Sequence, residues 1–262
     1  MAKANTAKAP NGRATPRYRV QSVARAFGIL LAISKQEQGI SRKEISREAK
    51  LSAQTTYHLL HTLSQLGLAS RSEAGNYLLG VRVGNLAEGF RRQMGEAHHI
   101  SKVLRSIAAK TGESVYALKW LNGEIVSFDV ARGRNPIQVA ELPLGISEDA
   151  HARSGGKLLL AYASEEMRKE YFSRHQLRRR TPNTICTRRE LYAHFEDIRR
   201  QGYALETGEF YPGLSCIAVP IDSGVSPFAF GISAPTERIE ENLKPYLKAL
   251  QEGAAKLSHL DD

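Results

Sequence analysis

The sequence predicts an α+β protein with an N-terminal winged helix-turn-helix and a larger C-terminal domain on a mostly antiparallel sheet. First, 262 residues with 42% hydrophobic and 24% charged side chains are enough for two globular domains. Second, residues 1–95 hold 15 Lys and Arg against 5 Asp and Glu, whereas residues 96–262 hold 22 of each. Third, three short helix signals and a hairpin in the first third give way to longer strand pairs flanked by helices.

The net charge of +10 therefore lies entirely in the first third of the chain. A basic segment joined to a balanced one indicates a polyanionic partner, most commonly DNA, whose counterions are released on binding. A basic domain that is merely soluble is the simpler alternative.

Other protein classes are disfavoured by the composition. We find no apolar run long enough to span a bilayer, and the basic N-terminus lacks the apolar segment of a secretory signal. Cys186 and Cys216 are too few for a disulfide framework. We expect two free thiols in a reducing cytoplasm.

The N-terminal elements follow in order. Residues 1–17 are small, polar and basic, which predicts a disordered arm. A first helix is predicted from Ser22 as N-cap. Its apolar positions recur at helical spacing: Val23, Phe27, Leu30 and Leu31. The run Ser41–Glu44 fits a capping box for a second helix, and Ser52 fits the N-cap of a third. The runs LASRS and NYLLG, separated by EAG, predict a hairpin.

The third helix is predicted to be amphipathic, with Leu59, Leu63 and Leu66 towards the core. The opposite side holds almost no charge: Ala53, Gln54, Tyr57, His58, His61, Ser64 and Gln65. Such side chains both donate and accept hydrogen bonds, which suits base edges and phosphates in a major groove. The histidine pair could otherwise share a metal ion, but the helix offers no third ligand, and surface histidines without a role remain an alternative.

The second domain is predicted to alternate strand pairs with helices. A hairpin with an Asn122-Gly123 turn joins ESVYALKWL to EIVSFDVARG. Further strands are PIQVAEL, LSCIAVPI and FAFGISA, the last two joined by a turn around residues 222–226. Helices are predicted at EAHHISKVLRSIAAKTG, SGGKLLLAYAS and TRRELYAHFEDIRRQG, with Leu191, Phe195 and Ile198 at core spacing, and from Glu237 to Leu260.

With these motifs in place, the chain resembles the IclR family of bacterial transcription regulators over about residues 18–260. The N-terminal motifs that resemble it are VQSVARAFGILLAI, LSAQTTYHLLHTLSQLGL and YLLGVRVGNLA. Those of the second domain are HARSGGKLLLA, GYALETGEFYPGLSCIAVPI and ISAPTERI. Several ordered motifs together are far more specific than a winged helix alone.

The resemblance implies a winged helix-turn-helix joined to a GAF-like effector domain, in homodimers or homotetramers that bind double-stranded operator DNA. It also implies a small organic acid as effector, often an aromatic one, and control of a catabolic operon. No cofactor or metal is expected. The implied division is a basic arm at 1–17, the DNA-binding domain at 18–82, a linker helix at 83–95 and the effector domain at 96–262.

Candidate site residues follow from the polar helix face and the matching motifs. Candidates for DNA binding are Ser41, Arg42, Ser52, Gln54, Thr55, Thr56, Tyr57, His58, His61 and Arg71. Matching motifs imply Ser154, Gly155, Glu206, Cys216 and Ser233 for the effector pocket. Free amides at the start of the SGGK helix suit a carboxylate, and Arg153 adds a cation if it points inwards. An ordinary tight turn into that helix is the simpler reading.

Three departures from the family pattern concern individual positions. His58 stands where Arg is common, Arg153 replaces a small residue, and Gly231 occupies a place where a pocket hydroxyl often sits. Two other functions stay open at this point. One is an enzyme that uses His151, Cys216 or Glu206 behind a DNA-binding anchor. The other is a DNA-binding protein indifferent to sequence.

Overall fold

A computed structural model describes residues 20–93, 97–136, 144–221 and 228–257. The chain divides after Gln93 into two compact units, the N-terminal unit and the C-terminal unit. The predicted basic arm, most of the PIQVAEL strand, the turn at 222–226 and the last residues of the closing helix lie outside the described residues. No described helix is long and apolar enough to cross a membrane.

The N-terminal unit is a winged helix-turn-helix, as predicted. Its elements are α1 (Gln21–Ser34), α2 (Arg42–Glu48), α3 (Ala53–Gln65), β1 (Ala69–Arg71), β2 (Tyr77–Leu79) and α4 (Val81–Gln93). Strands β1 and β2 pair antiparallel to form the wing. Helix α4 begins at Val81, two residues before the start of the linker helix predicted at 83–95.

Local caps fix the helix-turn-helix. Ser41 and Glu44 form the predicted capping box at α2, and the Ser52 hydroxyl accepts a hydrogen bond from the Thr55 amide at the start of α3. Between the helices, Lys50 adopts a left-handed conformation. Each cap satisfies amides that a helix start leaves unpaired.

The apolar positions that predicted α1 are mostly not the ones that meet the core. Ile29, Ala32 and Ile33 are buried, whereas Val23 and Phe27 are 66% and 61% exposed. Helix α1 has two apolar stripes, and both have helical spacing. Only contact with the rest of the unit decides which stripe is covered, so periodicity alone could not choose.

The core side of α3 is shifted from its prediction. Leu63 is buried as expected, with Leu60 and Thr56 beside it, but Leu66 is the C-cap and is 46% exposed. Leu66 lies where the chain turns out of the helix, so its angle on a helical wheel does not describe its direction.

The C-terminal unit carries one six-stranded antiparallel sheet. Its elements are α5 (Ala97–Thr111), β3 (Ser114–Leu121), β4 (Glu124–Ala131), β5 (Gly145–Ile146), α6 (Ser154–Tyr162), α7 (Glu165–Arg174), α8 (Arg188–Gln201), β6 (Ala204–Thr207), β7 (Leu214–Ile221), β8 (Phe228–Pro235) and α9 (Thr236–Ala255). The strand order is β5-β4-β3-β8-β7-β6. Asn122 and Gly123 both have positive φ, which the predicted two-residue turn requires.

Helix α7 and the short strands β5 and β6 were not predicted. The sequence of α7, EEMRKEYFSR, buries only Tyr171 and Phe172 and shows little amphipathic patterning. Helix α8 buries Leu191, Phe195 and Ile198 as expected.

Alternation along the strands produces two cores. On one face, Ile217 and Val219 pack with helices α5 and α9. On the other face, Tyr116, Leu118 and Ala218 pack with helices α6, α7 and α8. Residues of β7 such as Cys216 point to this second face, because successive strand side chains alternate.

The ISAPTERI motif joins the end of β8 to the start of α9. Glu113, at the start of β3, is fully buried and accepts hydrogen bonds from Asn135, from Arg238 at 2.9 Å and from the Tyr246 hydroxyl at 3.1 Å. Its charge is therefore compensated by a guanidinium and by neutral donors.

Candidate functional site

The first candidate site is the polar face of α3, whose seven predicted members are all exposed. The Tyr57 ring lies at its centre. The His58 and His61 rings stand 5.5 Å and 6.3 Å from it, and the Arg42 guanidinium of α2 stands 5.7 Å from it. The outer side of the helix-turn-helix thus carries one cation from α2 close to one phenol and two imidazoles from α3.

Four of the predicted DNA-contact residues form hydrogen bonds that stabilise the helix starts. The hydroxyls of Ser41 and Ser52 cap helices, and that of Thr55 hydrogen-bonds with Ser52 at 2.9 Å. Thr56 is fully buried and donates to the Ser52 carbonyl, so its prediction as a DNA contact is wrong. Thr56 directly precedes Tyr57, but neighbouring residues of a helix point about 100° apart, and the Thr56 side chain is buried.

Arg71 lies on the wing and is exposed. Its Nε donates to the Gly75 carbonyl at 3.1 Å, and its guanidinium stands 5.9 Å from the Tyr77 ring. An exposed guanidinium on the wing suits contact with a phosphate rather than a base.

The second candidate site lies under the start of α6. After a turn at Ala150–Ala152, Arg153 has extended backbone and Ser154 begins the helix. A Cβ on Gly155 would stand 2.1 Å from Leu118, and one on Gly156 would stand 2.2 Å from the Ala150 carbonyl oxygen. Gly155 thus lets the first turn of α6, with its free amides, lie against the sheet, and Gly156 lets the preceding turn pack against the helix.

Facing this turn, three predicted residues form one row across the sheet. Glu206 on β6 is opposite Cys216 on β7, which is opposite Ser233 on β8. The Cys216 sulfur and the Ser233 hydroxyl are 2.6 Å apart. All three are buried, so the motif residues that the resemblance implied do lie together.

The Glu206 carboxyl is the unusual member of this row. It is 1% exposed, and its Oε2 accepts from the Glu209 amide at 2.9 Å. Its Oε1 is also buried and accepts no well-formed hydrogen bond from the described residues. Burial raises the pKa of Glu206 to about 7, and the Glu209 amide, the Cys216 thiol and Lys157 offset only part of that rise.

A buried ion pair adjoins Glu206. Lys157, one turn after Ser154 on α6, is fully buried, and its ammonium donates to Glu209. Burial raises the pKa of the Glu209 carboxyl and Lys157 counteracts that rise. Lys157 therefore neutralises the carboxylate of Glu209 rather than that of Glu206.

Tyr116 on β3 completes the site. Its hydroxyl is 3.0 Å from the Ser154 hydroxyl. Tyr116 pairs with Gly231 of the neighbouring strand β8, and its ring lies above that glycine. A Cβ on Gly231 would stand 2.2 Å from the Tyr116 ring. The sequence has a glycine at position 231. In the structure, the Tyr116 phenol occupies the space that a larger side chain at 231 would fill.

Arg153 lies at the edge of the site and packs against an aromatic ring. Its guanidinium lies 3.5 Å from the centre of the Phe210 ring, and that of Arg180 lies 4.6 Å from the same ring. The Arg153 Nε also donates to the Glu148 carbonyl at 3.4 Å. Arg153 therefore stacks against the buried Phe210 and is not an outward-pointing side chain.

Two of the three residues considered for catalysis, Cys216 and His151, are not activated. Burial raises the pKa of the Cys216 thiol well above its usual value, so the nucleophilic thiolate is disfavoured. Burial lowers the pKa of His151 to about 4, and its Nε2 hydrogen-bonds with the Arg178 carbonyl at 2.9 Å. In the described part of the chain, no group of three or more His, Cys, Asp or Glu side chains could hold a metal ion.

Sequence reasoning missed Tyr116, Lys157, Glu209 and Phe210. A lysine inside the apolar run GGKLLLA was the available signal for Lys157, since a buried lysine needs a partner. Tyr116 gave no signal, because its partner Ser154 lies 38 residues away.

Two family models match the chain. The model described as "Bacterial transcriptional regulator IclR C-terminal" matches residues 92–259, and the one described as "IclR helix-turn-helix domain" matches residues 22–73.

Known proteins agree with both matches. The chain is 30% identical over 243 residues to the HTH-type transcriptional regulator KdgR of Dickeya chrysanthemi, covering 91% of this chain and 79% of that protein. Among solved structures, an IclR transcriptional regulator from Alicyclobacillus acidocaldarius has a TM-score of 0.75 at 25% identity, over 92% of this chain and 98% of that one. The IclR of Thermotoga maritima has a TM-score of 0.67 at 27% identity, over 91% and 99%.

Proposed function

The chain belongs to the IclR family of bacterial transcription regulators, and from that membership we propose that it regulates a catabolic operon in response to a small organic acid. The observation that carries the proposal is a polar recognition face in one unit together with a buried, donor-rich site in the other. In a bacterium, such a regulator acts in the cytoplasm, where its operator lies.

For DNA recognition we place α3 in the major groove, with Gln54, Tyr57, His58 and His61 towards the bases. Arg42 and Arg71 would contact phosphates on either side. The exposure of these side chains and the positive charge of this part of the chain support this assignment.

Replacing Gln54 with alanine should weaken binding to the operator by about 1–3 kcal/mol for a lost base contact, with little change on unrelated DNA. Helix α3 should still form, because Gln54 is exposed and the Ser52 cap remains. Fluorescence anisotropy with the DNA upstream of the chain's own gene, and with a scrambled duplex, measures both affinities. Equal affinity of Gln54→Ala and wild type for the operator would contradict the assignment of this face.

Arg71→Ala is the matched comparison on the wing. It should weaken operator and scrambled DNA about equally and reduce the slope of log affinity against log salt by about 1. A wild-type protein that binds both duplexes alike at moderate salt would instead be a non-specific DNA-binding protein, and the proposed function would fail.

For effector binding we place a carboxylate against the first turn of α6. The free amides of Ser154 and Gly155, the Arg153 guanidinium and the hydroxyls of Tyr116 and Ser233 supply donors there. Ligand binding would change operator affinity by favouring one arrangement of the two DNA-binding units of an oligomer, with α4 as the connection.

For assembly we propose a homodimer formed by the N-terminal units. Helix α1 exposes one apolar stripe, and α4 exposes Leu86 and Phe90 one turn apart. The α1 stripe consists of Val20, Val23, Phe27 and Leu31. Contiguous exposed apolar surface of this kind marks protein contacts, and a second copy would bury both helices by symmetry.

Replacing Phe27 with serine should raise the dimer dissociation constant at least about tenfold, which corresponds to about 1.4 kcal/mol. Phe27 is exposed in the chain, so the fold of the unit should be preserved. Sedimentation velocity over a dilution series measures the constant. Tyr162→Ser, an exposed aromatic of the C-terminal unit, serves as the control. A wild-type monomer, or equal association of Phe27→Ser and wild type, would contradict this interface.

A further inference from the structure

Tyr116 is held in one position by the residues around it. Its ring is 3% exposed and lies between Gly231 of β8 and Gly155 of α6. A Cβ on Gly155 would stand 3.2 Å from the ring, and one on Gly231 would stand 2.4 Å from the hydroxyl oxygen. Two glycines thus leave a space between sheet and helix that this one phenol fills.

The Tyr116 hydroxyl lies where a ligand carboxylate would bind. It is 3.0 Å from the Ser154 hydroxyl, at the first turn of α6. A hydroxyl can donate one hydrogen bond and accept others, so Ser154 can donate to Tyr116 while Tyr116 donates to a ligand. Burial raises the pKa of Tyr116 well above its usual value, which keeps the donating proton in place.

We propose that Tyr116 determines the specificity of the effector site: its hydroxyl donates to the carboxylate of the ligand, and its ring restricts the ligand to short aliphatic acids. The proposal rests on the proposed function and deepens it. A ligand with an aromatic ring would need the volume between Gly231 and Gly155 that the phenol occupies.

The charges around the phenol fit an acid of small size. Arg153 interacts electrostatically with Tyr116 and Glu206, whereas Lys157 is paired with Glu209. The acceptors that remain are the Glu206 carboxyl and the Cys216 and Ser233 side chains. An acid of a few carbons can reach Arg153 and the α6 amides without placing apolar atoms against Glu206.

The test measures binding of butyrate and benzoate to the full chain at pH 7 by isothermal titration calorimetry, with Trp120 fluorescence as a second signal. Wild type should bind butyrate at least tenfold more tightly than benzoate. Tyr116→Ala should reverse this order, since it removes the ring. Tyr116→Phe should keep the order and bind butyrate about tenfold more weakly, since it removes only the hydroxyl.

Tyr171→Phe is the matched control, because it removes the hydroxyl of another buried tyrosine on the same face of the sheet, whose ring stacks on His175. It should bind both acids as wild type does. If wild type binds benzoate as tightly as butyrate, or if neither Tyr116 variant changes the ratio, Tyr116 does not set specificity although an acid site exists. If neither acid binds any of the proteins, the proposed acid site itself fails. Tyr116→Phe differs by one atom, so the test holds even if Tyr116→Ala does not fold.

Discussion

Replacing Lys157 with methionine should lower the free energy of unfolding of the C-terminal unit by about 3–5 kcal/mol, the cost of removing one partner of a buried ion pair. Methionine is similar in length to lysine, so packing in α6 should be kept. Glu209, however, would remain buried without its cation, and its Oε2 already accepts no hydrogen bond from the described residues. The carboxyl must then stay ionised in an apolar surrounding or bind a proton.

Urea unfolding followed by Trp120 fluorescence measures this loss, because Trp120 is the single tryptophan and lies in the same core as α6. The double variant Lys157→Met with Glu209→Gln should recover most of the stability, since the amide is neutral. A loss below about 1 kcal/mol in Lys157→Met would show that the pair contributes no more than an exposed ion pair does.

Replacing Glu206 with glutamine should stabilise the protein at pH 8 by about 3 kcal/mol and leave its stability at pH 4.5 unchanged. The pKa of Glu206 is raised from 4.5 to about 7 in the folded protein. The folded state therefore holds this proton more tightly than the unfolded state does. The contribution of Glu206 to the stability of the wild type therefore falls as the pH rises from 4.5 to 7 and is constant above that range.

The difference in the free energy of unfolding between Glu206→Gln and wild type reports on this carboxyl, because other titrating groups contribute equally to both proteins. The groups around it that shape its pKa are Cys216, Glu209 and Lys157, and all three are unchanged in the variant. Urea unfolding at pH 4.5, 6 and 8 gives the difference. Glu240→Gln, at an exposed position of α9, is the control for replacing a carboxyl by an amide. A constant difference for Glu206→Gln would mean that Glu206 titrates normally.

Local signals in the sequence predicted most of the DNA-binding part. The capping box at Ser41 and the cap at Ser52 involve residues three apart, so their chemistry can be read from the chain. The polar face of α3 could be predicted for the same reason. The stripe of α1 that meets the core could not, because that choice depends on the packing of α3 and β2 against it.

In the C-terminal unit, the family motifs drew attention to Ser154, Glu206, Cys216 and Ser233, and strand pairing brings the last three into one row. The sequence by itself thus determined most of the elements, the antiparallel sheet, the basic DNA-binding unit and the family. The tertiary structure decided that Tyr116 fills the place beside Gly231 and that Lys157 pairs with Glu209, 52 residues away. Helix periodicity and caps act over a few residues, whereas burial and electrostatic compensation depend on which distant side chains share one interior.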